Sequence, residues 1–222
     1  MVNEFLKITN SSYDKIAKNY VIKRDNHFFW GLVSKFICRK FLSQLPKQKK
    51  CKVLVVGSAG GHDTLYMAKK SKHYFLGIDF SRELVKIAKQ KKEKQKIPNC
   101  DFRLENIINA KLTDKFDGIF CDGVLYHIPR KNLPQVLDKF YKALKPKSYL
   151  YANFKKGKGH ELQENPVSYA GEPRAYWFYT KKQLQSIFDK AGFKAKIKAP
   201  IIRPMGESYI EVYARPKRKK PN

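Results

Sequence analysis

KVLVVGSAGG, residues 52–61, is a short β-branched run that breaks into small residues. The run lacks polar alternation, so it reads as a strand buried on both faces, as in a parallel sheet. Gly57, Ser58, Ala59, Gly60 and Gly61 then permit a tight turn and let the backbone approach a ligand at the N-terminus of the next helix, whose apolar residues run from Leu65 to Ala68. A second strand, YFLGI at 74–78, ends on Asp79, 22 residues beyond Gly57. A carboxylate so placed can accept hydrogen bonds from two ribose hydroxyls, and loop, strand and acid in that order imply a nucleoside cofactor.

Strand-like and helix-like segments alternate onward from this unit. Arg82 to about Lys94 reads as a helix capped by Ser81, DFRL at 101–104 and DGIFC at 117–121 as strands, Lys131 to Leu144 as a helix, KPKS as a turn and YLYANF at 149–154 as a fifth strand. This order predicts an α/β architecture with a parallel sheet. Residues 155–179 have no clear period and suit an excursion over the sheet edge that forms a lid. Thr180 then caps a helix that stops at Gly192, and FKAKIK and SYIEVYA are joined closely enough to pair antiparallel.

Upstream, the spacing of Tyr13, Ile16, Ala17, Tyr20 and Val21 predicts an amphipathic helix over 12–24, opened by a Ser and Asp14. A second helix is expected from about Phe28 to Leu45. Its broad apolar face carries Phe29, Leu32, Val33, Phe36, Ile37, Phe41 and Leu42. A membrane-surface helix would look similar, but packing against the sheet is the commoner outcome and the one expected. The division is therefore N-terminal helices at 1–50 that belong to the same domain and cover the cofactor site, a main domain at 51–214, and a basic tail at 215–222.

Forty-seven Lys and Arg against 19 Asp and Glu give a net charge of +28, which attracts polyanions and makes any binding of nucleic acid salt-dependent. Lys dominates over Arg, the pattern of solvated lysine-rich faces, whereas specific base and phosphate recognition favours the Arg fork. No stretch approaches the ~18 apolar residues that span a bilayer, and the start MVNEFLKITN lacks a signal-peptide layout. A cytoplasmic protein, a monomer or weak dimer, is expected. Cys38, Cys51, Cys100 and Cys121 are far apart with no metal-ligand spacing, so they read as reduced thiols with no metal.

The loop spacing narrows the cofactor. A G-x-G-x-x-G dinucleotide fingerprint from Gly57 fails at Ala59 and His62, and no G-x-x-x-x-G-K-[ST] phosphate loop is present. The G-x-G-x-G pattern of methyltransferases is met at Gly57 and Gly61 and missed mildly at Ala59. With YDKIAKNY, VLVVGSAGGHDTLYMA, LGIDFSRELVKIAK, FDGIFCDGVLYHIP, VLDKFYKALKPKSYLYANFKKGKGHE and WFYTKKQLQSIFDKAGF in order, the chain resembles small bacterial class I S-adenosylmethionine-dependent methyltransferases from Tyr13 to about Tyr213. The resemblance implies a Rossmann-like three-layer sandwich with a mostly parallel seven-stranded sheet and an antiparallel last strand. S-adenosyl-L-methionine is the cofactor it implies.

The resemblance also implies that Gly57, Ser58, Ala59 and Gly61 line the methionine and ribose side, that Asp79 holds the ribose with Phe80 beside the adenine, and that Asn106 and Ile107 meet the adenine edge. Cys121, ending the fourth strand, supplies backbone contacts, and Tyr13 and Tyr20 close over the site. His127 and Tyr126 lie close to the expected methyl position, with His127 as candidate base. His160, Glu161, Tyr169, Arg174, Tyr176, Trp177 and Tyr179 belong to the segment expected to roof the pocket, with Lys155, Lys156 and Lys158 beside it. Relatives usually carry an acid where this chain has Val55, Gly at Ala59 and Asp at Asn106; Asp63 or Asp122 are candidates to replace the acid. The acceptor implied is a small molecule or RNA. The alternative is a non-catalytic, methyltransferase-like basic scaffold or RNA-binding protein.

Overall fold

The computed structural model describes residues 2–163, 171–198, 201–202 and 208–217. Two helices, α1 (Val2–Asn26) and α2 (Phe28–Leu42), precede the alternating unit β1 (Lys52–Val56), α3 (His62–Lys70), β2 (Tyr74–Asp79), α4 (Arg82–Lys94), β3 (Cys100–Leu104) and β4 (Phe116–Cys121). A 3-10 turn (Leu125–His127) leads to α5 (Leu133–Ala143), β5 (Leu144–Lys155), β6 (His160–Gln163), β7 (Arg174–Trp177), α6 (Lys181–Lys190), β8 (Phe193–Ile197), β9 (Ile201–Ile202) and β10 (Ser208–Pro216).

The main sheet has the order β3-β2-β1-β4-β5-β10-β8, with the short β9 beside β10. Strands β1 to β5 are parallel, and β10 is antiparallel to both its neighbours. This is the expected three-layer α/β sandwich. The period of two in β1 explains the layers: Leu54 and Val56 join the core beneath α5 and α6, whereas Val53 and Val55 face α2, α3 and α4. With both faces buried, an uninterrupted apolar strand is the stable choice.

Several boundaries differ from expectation. Helix α1 begins at Val2, not near residue 12. Ser12 is buried inside it and donates to the Pro173 carbonyl, while Asp14 accepts from the Ser81 hydroxyl and the Glu83 N–H, so it caps α4 instead of its own helix. Helix α2 ends at Leu42, and its expected broad face divides: Ile37, Cys38 and Phe41 are buried, whereas Phe29, Leu32 and Phe36 are exposed. Strand β5 starts at Leu144, which pairs with Phe116 before Tyr149 pairs with Gly118; KPKS is looped out as an irregularity within the strand, with Lys147 at φ 65. The lid segment holds an antiparallel pair, β6 with β7, and Tyr169 lies outside the described residues. Strand β10 includes Arg215 and Pro216, the first residues of the expected tail.

Candidate active site

At the C-terminal edge of β1 the chain turns through Gly57 at φ 68, and the Gly57 and Ser58 amides both donate to the Ile78 carbonyl of β2. A Cβ on Gly57 would stand 2.0 Å from Val124 Cγ2, and one on Gly60 would stand 2.4 Å from Val21 Cγ2. The loop is thus pressed between the β4 connection and α1, and only glycine fits at these points. Ala59 occupies φ 45, in the left-handed region where glycine would carry no strain. Its amide donates to Asp79 Oδ2 at 2.8 Å, and the Ser81 amide donates to Oδ1 at 2.9 Å. Burial pushes Asp79 up to about 6 although these amides oppose the shift.

Two adjoining cavities open here, outside the carboxyl ends of the strands, where open α/β sheets bind ligands. One, of about 1200 Å³ including space open to solvent, is bordered by Gly57, Ser58, Ala59, Asp79 and Phe80 on the loop side. The other, of about 700 Å³, is bordered by Asn106 and Ile107 and shares Gly57, Asp79, Phe80, Val124 and His127 with the first. Together they form one cleft bent around Asp79. The buried Ser58 hydroxyl has no hydrogen-bond partner among the described residues, which fits a loop made to receive a polar ligand.

Tyr13 and Tyr20 close the cleft from α1, edge to face at 5.7 Å, with Tyr13 a further 6.1 Å from the Phe80 ring. The Asp14 cap on α4 fixes this stretch of α1, and Tyr13 is held in turn by His127. His127 Nδ1 lies 2.8 Å from the Ala175 carbonyl, which accepts its proton, so Nε2 is the acceptor for the Tyr13 hydroxyl at 3.2 Å. Burial lowers His127 to about 3. It is neutral and a poor proton acceptor at physiological pH, which argues against the base role read from its position. Burial also raises the Tyr126 hydroxyl well above its ordinary range.

Not every expected contact borders the cleft. Gly61 caps α3 and packs toward Phe102, Ala88 and Leu65; its neighbour Gly60 takes the cleft position. Cys121 is fully buried in the core, and Asp122 and Gly123 after it reach the cavity. Val55 faces the helix layer, but both Asp63 and Asp122 border the cleft, with Asp63 held by the Ser34 hydroxyl and by Arg24 at 3.5 Å. Asn106 Oδ1 accepts the Ile108 N–H at 3.0 Å, leaving it a second lone pair for a ligand.

Sequence reasoning did not point to Val21, Arg24 or Trp30, which α1 and α2 bring to the rim with Arg24 4.6 Å above the Trp30 ring. Opposite the loop, Tyr126, Tyr176 and Tyr209 cluster with the buried cations Lys155 and Arg174. Lys155 Nζ lies 3.7 Å from the Tyr176 ring centroid and Arg174 5.8 Å from that of Tyr13. Of the expected roof, His160 stacks on Trp177 at 6.0 Å, while Tyr179 packs on Phe154 in the core.

A family model described as a methyltransferase domain matches residues 47–192. The chain belongs to this methyltransferase-domain family, and its fold is that of class I S-adenosylmethionine-dependent methyltransferases. It is 29% identical over 168 residues to O-methyltransferase 3 of Dictyostelium discoideum, a match that covers 68% of this chain and 38% of that protein. It is 25% identical over 227 residues to the demethylmenaquinone methyltransferase of Lactiplantibacillus plantarum, covering 87% of this chain and 91% of that one. In fold it is similar to the Burkholderia thailandensis 1,6-didemethyltoxoflavin-N1-methyltransferase, solved with 1,6-didemethyltoxoflavin and S-adenosylhomocysteine. That TM-score is 0.72 at 20% identity, over 98% of this chain and 91% of that chain.

Proposed function

We propose that this enzyme methylates a nitrogen, oxygen or sulfur atom of a small molecule held among Tyr126, Tyr176, Tyr209, Lys155 and Arg174. The observation that carries the reading is the continuity of the cleft: the cofactor loop and Asp79 border one end, and the aromatic and cationic group borders the other. S-adenosylmethionine supplies an electrophilic methyl group on its sulfonium. The Asp79 carboxylate would hold the ribose, Phe80, Asn106 and Ile107 the adenine, and Ser58 the polar methionine end. Asp63 or Asp122, both at the cleft, would receive its cationic amine.

The protein's remaining contribution is alignment and exclusion of water, which suffices for an in-line displacement. Tyr13, tied to His127, closes the cleft. Neutral His127 is a poor base, so the reading favours an acceptor that arrives with a free lone pair or is acidic enough to lose its proton beside Lys155 and Arg174. Cations at that end stabilise a deprotonated acceptor. Two of the similar proteins above are named for small-molecule acceptors, which supports the same reading.

RNA as acceptor is the second reading, favoured by the +28 charge. Incubation with methyl-labelled cofactor and separated metabolite and RNA fractions tests both. Label in small molecules, reduced tenfold or more by Lys155→Met with cofactor binding retained, is the expected result. Label confined to RNA refutes the small-molecule reading.

A further inference from the structure

The end of α1 and the outer face of α2 carry the largest exposed apolar side chains of the described residues. Phe28 is 71% exposed, Phe36 67%, Phe29 64%, Ile22 58% and Leu32 49%. Phe28, Leu32 and Phe36 recur at four-residue steps and therefore form one ridge along the helix, with Phe29 beside it. The opposite side of α2 already supplies Ser34, Ile37, Cys38 and Phe41 to the interior. A helix apolar on both sides belongs in an apolar environment on both sides.

The ridge is bordered by cations. Lys18 and Lys23 on α1 and Lys35 and Arg39 on α2 are exposed, and α2 contains no carboxylate. Of the nearby acids, Asp25 is engaged by Lys91 and His62, and Asp63 by Ser34 and Arg24. Aromatic and branched apolar side chains flanked by Lys and Arg define an interfacial helix that lies in the headgroup region of an anionic membrane.

We propose that the α1–α2 corner docks on the surface of bilayers containing anionic lipid, with the Phe28, Leu32 and Phe36 ridge at the acyl boundary and the flanking cations on headgroup phosphates. Charge complementarity selects this occupant. A second copy would bring two chains of +28 together face to face, against their mutual repulsion. A duplex nucleic acid would satisfy the cations and leave the Phe ridge in water; an anionic bilayer satisfies both. No described helix is long and apolar enough to cross a membrane, so the contact is peripheral.

Sedimentation of the full chain with phosphatidylcholine vesicles, with and without phosphatidylglycerol, tests the proposal. Binding only to the anionic vesicles is expected, reduced at least tenfold in Phe28→Asn/Phe36→Asn and severalfold in Lys35→Glu. Because these residues are exposed and away from the cleft, the melting temperature and cofactor affinity of the variants stay at wild-type values. Anionic-vesicle binding that the Phe variant leaves intact overturns the ridge. Absence of vesicle binding also overturns the proposal, whether ultracentrifugation then finds a dimer that the Phe variant dissolves or gel shift finds RNA bound in its place.

Discussion

Asp79 makes the cofactor site pH-sensitive in a direction that can be worked out. Its folded carboxyl is raised to about 6 from 3.8 by burial, so a little above 90% is ionised at pH 7 and only about a tenth at pH 5. The Ala59 and Ser81 N–H groups donate to one oxygen each and the Phe80 N–H also bonds the carboxylate, so ionised Asp79 is an acceptor with capacity left for a ribose hydroxyl. Protonation turns one of its oxygens into a donor. Cofactor affinity should therefore fall about tenfold between pH 7 and pH 5, or about 1.4 kcal/mol. The effect of this group on the stability of the free protein has the opposite sign: the folded state holds the proton more tightly, so stability falls as pH rises from about 4 to about 6. Titration calorimetry with S-adenosylhomocysteine at several pH values measures the first effect. Asp79→Asn is the control, with affinity at pH 7 lowered by about 1.5–3 kcal/mol and no slope between pH 5 and 7. A flat wild-type profile, or an Asn variant that keeps both affinity and slope, refutes the reasoning.

Three further outcomes are expected. Ala59→Gly removes left-handed strain of about 1–2 kcal/mol, partly offset by the greater freedom of glycine in the unfolded chain, so its melting temperature should rise by about 2–4 °C in a thermal scan. Asp14→Ala deprives the α4 N-terminus of its acceptor from α1 and should cost about 1–2 kcal/mol in denaturant unfolding, with weaker cofactor binding as Tyr13 loses its anchor. Gly57→Ala places a methyl against Val124 at positive φ and should reduce cofactor binding at least tenfold by calorimetry while circular dichroism stays native-like.

The centre of the fold was legible because its signals are local. The β1 run, the loop and Asp79 follow one another within thirty residues, and burial on both faces leaves an unbroken apolar strand. Ser81 and Thr180 cap α4 and α6 as read, the latter in a capping box with Gln183. The errors arose where tertiary partners override a local signal. Ser12 and Asp14 look like a helix start, but one bonds Pro173 and the other caps α4, so α1 runs through them. The β6–β7 pair gave no period because Arg174, Ala175, Tyr176 and Trp177 are all buried, against α1 on one side and the cleft on the other. Gly61 and Cys121 each lie one residue from a position that borders the cleft: a motif marks the turn, whereas the side that faces the cavity depends on backbone angles such as the positive φ of Ala59. Trp30 and Arg24 reach the cleft rim because segments far apart in the chain meet there, and no spacing rule reveals that. His127 borders the cleft as its position in the sequence suggested, and burial alters what its ring can do.

Direct binding tests most simply whether residues 57–60 and Asp79 form a cofactor cleft. Calorimetric titration of the wild-type chain at pH 7 with S-adenosylmethionine should show saturable one-to-one binding that Asp79→Asn weakens tenfold or more. No binding of S-adenosylmethionine or S-adenosylhomocysteine at millimolar concentration by the folded wild-type protein would contradict it.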